Sequence, residues 1–152
     1  MKLRLIALGA IALVACSSQQ EPAAPFRDLT LEARSEVVPG PSAALRGTVT
    51  VTNTTDHAIS FQAGGCPVLL QVFGSPDRAG APAWDQATNT YCTAVLQNVI
   101  LQPGAAHQFV AQAPVSEVLG ATLPNGRYYV GATIRLDSHQ QQVPAGDVEL
   151  TQ

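Results

Sequence analysis

The residue types that do chemistry are present in this sequence, but seldom at the spacing that chemistry needs. His57, His107 and His139 fall in or beside three different turns and strands, and none has a partner at a metal-ligand interval. His57 follows Asp56 in a turn, where a solvated imidazole is expected, and His107 comes just after the turn Gln102-Pro103-Gly104. No G-x-S-x-G elbow exists to expose a nucleophilic serine. Asp147 and Glu149 share one strand face near the C-terminus and read as solvated carboxylates, not as an acid–base pair. Gly64-Gly65 has the composition of a bulge or turn, and no helix follows it to hold an anion. Cys66 and Cys92 have no histidine near them, which makes half a zinc site, and no C-x-x-C pair is available for dithiol exchange. The expectation is a protein without catalytic residues, metal or cofactor.

The elements that must carry these residues begin with a segment that sets the compartment. Lys2 and Arg4 precede an apolar run over residues 5–15. That run is too short to span a hydrocarbon core, which takes about 20 residues in a helix. Its order of basic, apolar and small residues is that of a secretory signal. Its end, Leu13-Val14-Ala15-Cys16, resembles the lipobox of bacterial lipoproteins. The resemblance implies cleavage after residue 15, acylation of Cys16 and stable anchoring in the membrane, because several acyl chains hold where one binds only reversibly. Ser17 stands where an aspartate would imply inner-membrane retention, which favours the outer membrane of a bacterial cell envelope.

Loss of residues 1–15 removes Lys2 and Arg4, so the formal charge moves from −3 to −5 and no lysine remains. Such a chain is not a nucleic-acid binder. With Cys16 acylated, Cys66 and Cys92 are left as an even pair in an oxidising compartment, and a disulfide is expected, worth roughly 3 kcal/mol. Asn53-Thr54-Thr55 matches a glycosylation sequon, which in a bacterial lipoprotein reduces to turn chemistry.

Residues 16–25 lack an apolar period and contain two prolines, so they read as a flexible tether, and residues 26–152 as one folded domain. Charged residues are 12% of the chain and apolar ones 46%, which excludes wholesale disorder. From Phe26 onward the period is two. Leu45, Gly47, Val49 and Val51 share one strand face, while Arg46, Thr48, Thr50 and Thr52 share the other. Ile59, Phe61 and Ala63 alternate with polar residues in the next strand, and residues 68–73 are apolar on both faces, as in a central strand. Residues 75–80 make a turn and residues 82–84 a short return strand. Further strands are expected over residues 29–33, 95–101, 107–112, 127–136 and 147–151, with one helical turn over 115–120. This series predicts an all-β fold, an immunoglobulin-like antiparallel β-sandwich of about 7–9 strands.

Tyr128, Val130, Ala132, Ile134 and Leu136 fall on one face of a strand entered through Leu123-Pro124-Asn125-Gly126. The Gly two residues before an inward Tyr is similar to the tyrosine corner of immunoglobulin-like sandwiches, with Pro124 in place of the usual Asp. The longest excursion, residues 74–91, carries Arg78, Trp84 and Tyr91, residue types enriched where proteins bind proteins. Trp84 equally suits core filling beside the disulfide, and Tyr91 suits packing beside Cys92.

The run from Gly47 through Thr48, Val49, Thr50, Val51, Thr52, Asn53, Thr54 and Thr55 to Asp56, followed by Ile59, Phe61 and Trp84, resembles the BsuPI-type intracellular proteinase inhibitor family. Leu101-Gln102-Pro103-Gly104 and Gly126-Arg127-Tyr128-Tyr129-Val130 extend the resemblance, which covers residues 45–136. It implies the sandwich and, as an activity, inhibition of proteinases. Export and a disulfide depart from an intracellular family, and no reactive-loop motif matches. Three functions are therefore expected in order. The first is a non-enzymatic envelope module, anchored in the membrane by lipid and binding a protein partner through its loops. The second is a proteinase inhibitor, and the third a structural accessory subunit of an envelope complex.

Overall fold

The computed structural model describes residues 26–152, so the expected signal, the acylated Cys16 and the tether lie outside the described residues. Eight strands follow a 3₁₀ turn at Phe26–Asp28: β1 (Leu29–Val38), β2 (Ala44–Asn53), β3 (Ile59–Phe73), β4 (Trp84–Asp85), β5 (Gln97–Leu101), β6 (Ala106–Pro114), β7 (Gly126–Leu136) and β8 (His139–Leu150). The helical turn α1 (Val115–Leu119) joins β6 to the approach of β7. The strands form two antiparallel sheets, ordered β1-β2-β6 and β4-β3-β7-β8, with β5 also paired to β3. This is the antiparallel, immunoglobulin-like sandwich that the alternation predicts.

The face of β2 bearing Leu45, Val49 and Val51 is fully buried and meets Leu70 and Val72 of β3 and Val130, Ala132 and Ile134 of β7. Each such side chain contributes about 1.5–3 kcal/mol on leaving water. Gly47 interrupts the apolar face because Leu70 occupies the space where its Cβ would stand. One flank of the sandwich is closed by the Ser35 hydroxyl of β1, which donates to the Ala145 carbonyl of β8 at 2.8 Å. The other is bridged by Gln86, a buried residue just after β4. Its Oε1 accepts from the Leu70 N–H of β3 at 3.0 Å, and its Nε2 donates to the Gln112 carbonyl of β6 at 2.9 Å.

Tyr128 is buried at the start of β7, and its hydroxyl donates to the Pro124 carbonyl at 2.7 Å. That is the bond of a tyrosine corner, made although Pro124 replaces the usual Asp. Beyond shifted strand ends, such as β1 running on to Val38 and β4 lying at Trp84–Asp85, two elements differ in kind from expectation. The strands over residues 59–63 and 68–73 are one continuous β3, whose pairing with β7 breaks register between Ala63 and Val68. The last strand begins at His139 rather than near Asp147, because a two-residue turn at Asp137 and Ser138 folds β8 back along β7. Asp137 adopts φ 52°, and it exchanges two hydrogen bonds with the Gln62 backbone, at 2.7 and 2.8 Å.

Candidate binding surface

The break in β3 is where the surface of interest is built. Cys66 lies in it and forms a disulfide with Cys92, across a Cα–Cα distance of 5.3 Å, within the usual range for the bond. Beside it, Gly65 is approached so closely by Thr93 that a Cβ would sit 2.6 Å from the Thr93 carbonyl oxygen and 2.9 Å from its nitrogen. The bulge thus receives the segment that follows Cys92, held once by a covalent bond and again by backbone contact with a glycine. Every residue from 91 to 98 is nevertheless exposed. Tyr91 is 101% exposed, Val95 69% and Leu96 62%, and Ile100 of β5 adds a further 59%. No Asp, Glu, Lys or Arg occurs between Asp85 and Glu117. Isolated surface apolar residues need no explanation, but a clamped, uncharged and apolar segment has the composition of an interface core.

The three residues expected to touch a partner go to different places. Tyr91 stands free in solvent. Trp84 is 9% exposed and lies in the core, paired with Val72 across β4 and β3, and its indole Nε1 has no hydrogen-bond partner among the described residues. The core-filling reading of Trp84 is the one its burial supports, and it presents no surface to a partner. Arg78 is committed to the fold. Its Nε donates to the Val130 carbonyl at 3.0 Å, and its two terminal nitrogens to the Gly146 and Pro76 carbonyls at 2.9 and 3.1 Å. Val130 sits where the β7–β8 register slips between Tyr129 and Gly131, so the guanidinium fork serves carbonyls at the irregularity. Arg78 also has φ 53°, in a turn fixed by Ser75, whose hydroxyl donates to Asp77 Oδ1 at 2.6 Å. Arg78→Ala is therefore expected to cost about 2 kcal/mol of stability, as charge-assisted hydrogen bonds do. Tyr91→Ser should leave the urea midpoint unchanged, and equal losses in both would show that Tyr91 packs as well.

Among the described residues, the histidines and carboxylates considered in the sequence fall at separate places. Asp56 and His57 are an exposed pair at 3.1 Å. The His57 hydrogen bond, with a smaller contribution from the Asp56 backbone, holds the Asp56 carboxyl below its ordinary range. His107 stacks edge-on against Phe109 with centroids 4.6 Å apart. Asp147 pairs with Arg127 at 2.6 Å on the surface. Among the described residues, no group of three or more His, Cys, Asp or Glu is placed to hold a metal ion. Among the same residues, no helix is long and apolar enough to cross a membrane.

The sequence alone does not mark Gln86, Thr93 or Val95 as site residues, and it marks Asn53 only as a turn residue. Neither amide, Asn53 or Gln86, shows its long-range partner in the sequence. The uncharged stretch after Asp85 was the one signal visible in the sequence for Thr93 and Val95.

No protein-family model matches the chain, and no curated protein matches it. Among solved structures it is similar to the ApaA protein from Bordetella pertussis, at 17% identity over 82% of this chain and 93% of that one, with a TM-score of 0.41. It is also similar to β-glucosidase 3B from Thermotoga neapolitana, at 16% identity and a TM-score of 0.38, over 82% of this chain and 17% of that one. The β-glucosidase EmGH1 from Erythrobacter marinus gives 16% identity and a TM-score of 0.37, over 77% of this chain and 15% of that one. The chain thus spans less than a fifth of either glucosidase. Likeness at this level says nothing of what this chain binds or does.

Proposed function

We propose that this chain is a lipid-anchored protein of the bacterial envelope whose sandwich is a non-catalytic module for binding another protein. The observation that carries the reading is the segment over residues 91–98, exposed throughout, apolar at Tyr91, Val95 and Leu96, and tied to β3 by the Cys66–Cys92 bond and the Gly65–Thr93 approach. Preorganisation of this kind lowers the ordering cost of association. The lipobox-like Leu13-Val14-Ala15-Cys16 supports the anchor, and a disulfide suits an exported chain.

A photo-crosslinking residue placed at Tyr91 in the full chain should capture one protein at near-equal stoichiometry in intact cells, and one placed at Thr30 should not. Metabolic labelling with palmitate should mark the wild type and not Cys16→Ser. An unlabelled wild type would remove the anchor, and absence of any captured protein would remove the binding surface.

The same clamped segment favours a second reading as a proteinase inhibitor, since a rigid exposed loop is what slow, stoichiometric inhibition uses. A captured protease, inhibited by the full chain and not by Tyr91→Ser, would select that reading. Captured envelope machinery would instead make the chain an accessory subunit.

A further inference from the structure

Four of the five strands that bound the two sheets carry a device against pairing with other chains. β1 bears Glu32, Arg34 and Glu36 and is bonded through Ser35 to β8. β8 bears Asp147 and Glu149, and its ladder with β7 is irregular. β4 is 2 residues long and β5 is 5. Shortness, charge and bulges are the usual protections of a sheet edge. β6 has none of them. It runs for 9 residues, its register with β2 is unbroken, it carries no Asp, Glu, Lys or Arg, and its single proline is the last residue.

The direction of its free backbone groups follows from one bond. Gln112 accepts from Gln86 on the side away from β2. Alternate residues of a strand point their N–H and C=O to the same side, so Gln108 and Val110 share that side. Among the described residues, neither makes a backbone hydrogen bond outside the β2 ladder. Val110 is also 52% exposed, the one large apolar side chain left open on the outer face of β1-β2-β6.

We infer that β6 pairs antiparallel with β6 of a second copy of this chain, so that β1-β2-β6 continues into the same three strands across a twofold axis. Gln108 of one copy lies opposite Val110 of the other, and each such pair exchanges both backbone hydrogen bonds. Gln86 capping the Gln112 carbonyl in each copy ends the pairing at both ends.

The lack of charge along this edge suits a second copy. A twofold contact sets each residue against its twin or a near neighbour of its twin, so any charge there would meet a like charge. Residues 106–114 carry no Asp, Glu, Lys or Arg in a chain that is otherwise acidic. An edge with free N–H and C=O groups and no charge to repel its twin is a template for its own copy. The inference goes beyond the proposed function and does not depend on lipidation or on the segment at Tyr91.

In cells producing the full chain, Gln108→Cys/Val110→Cys should give a reducible band at twice the mass of the chain, and Glu32→Cys/Arg34→Cys on β1 should not. Sedimentation equilibrium of the purified full chain in detergent should give a dimer for the wild type and a monomer for Val110→Lys. Val110 is half exposed, so the lysine should leave the melting temperature of the fold unchanged. A monomeric wild type at tens of micromolar, equal crosslinking at both edges, or a crosslinked band at any other mass would overturn the pairing. The last of these would give the edge to a different protein.

Discussion

Asn53→Ala is expected to destabilise the domain by about 3 kcal/mol, with a fall in melting temperature of roughly 10 °C. Asn53 is the last residue of β2 and is 0% exposed. Its Nδ2 donates to the His57 carbonyl at 2.7 Å and to the Leu101 carbonyl at 3.0 Å. Its Oδ1 accepts from the Thr55 N–H at 2.9 Å and from the Thr55 hydroxyl at 2.7 Å. One side chain thus closes the β2–β3 turn and ties it to the end of β5. Truncation leaves the Leu101 carbonyl and part of the turn backbone without partners, and each buried orphan costs about 1–3 kcal/mol. Asn53→Asp tests the assignment of the amide. It keeps the shape and the acceptor but turns the donor into a second oxygen facing two carbonyls, so it should be at least as damaging as alanine at neutral pH. A urea unfolding series showing Asp tolerated would mean that the donor bonds contribute little.

The same residue shows what could and could not be read from the chain. Its neighbours mark a turn in any sequence, and the alternation from Leu45 to Thr52 identifies β2 and its buried face directly, because strand periodicity is a local property. The disulfide was legible from parity once Cys16 was set aside. Tyr128 was legible because a tyrosine corner is made within a few residues, at Pro124. What local pattern does not carry is the identity of distant partners. Asn53 reaches Leu101, Gln86 bridges Leu70 and Gln112, and Arg78 reaches Val130 and Gly146, all through carbonyls that look alike in sequence. The unity of β3 was hidden by Gly64-Gly65, which reads equally as a bulge or a turn and is an irregularity within one strand. The first half of β8 was hidden for another reason. Gln140, Gln141 and Gln142 have no apolar alternation, and they are held as a strand by pairing with Arg135, Ile134 and Thr133.

Gly65→Ala and loss of the disulfide should disturb the same segment by different routes, and comparing them separates stability from presentation. Cys66 and Cys92 are separated by 26 residues, so Cys66→Ser/Cys92→Ser should cost about 3 kcal/mol on the chain-entropy account. Gly65→Ala leaves the bond in place, yet its methyl meets Thr93 backbone atoms at 2.6 and 2.9 Å, and neither is the far end of a flexible side chain. The segment after Cys92 must then move off β3. Amide exchange over residues 93–96 should rise in both variants, and crosslinking from Tyr91 should fall in both. Because the two changes act on one clamp, the triple variant should lose less stability than the sum of its parts, as contacting sites do. If Gly65→Ala left exchange and crosslinking at wild-type levels, the disulfide alone would position the segment, and the glycine would serve only the irregularity in β3. If instead it abolished capture while the bond stayed formed, the contact surface would depend on where the backbone of residues 93–96 lies against β3. The disulfide would then contribute chiefly by keeping that segment within reach of Gly65.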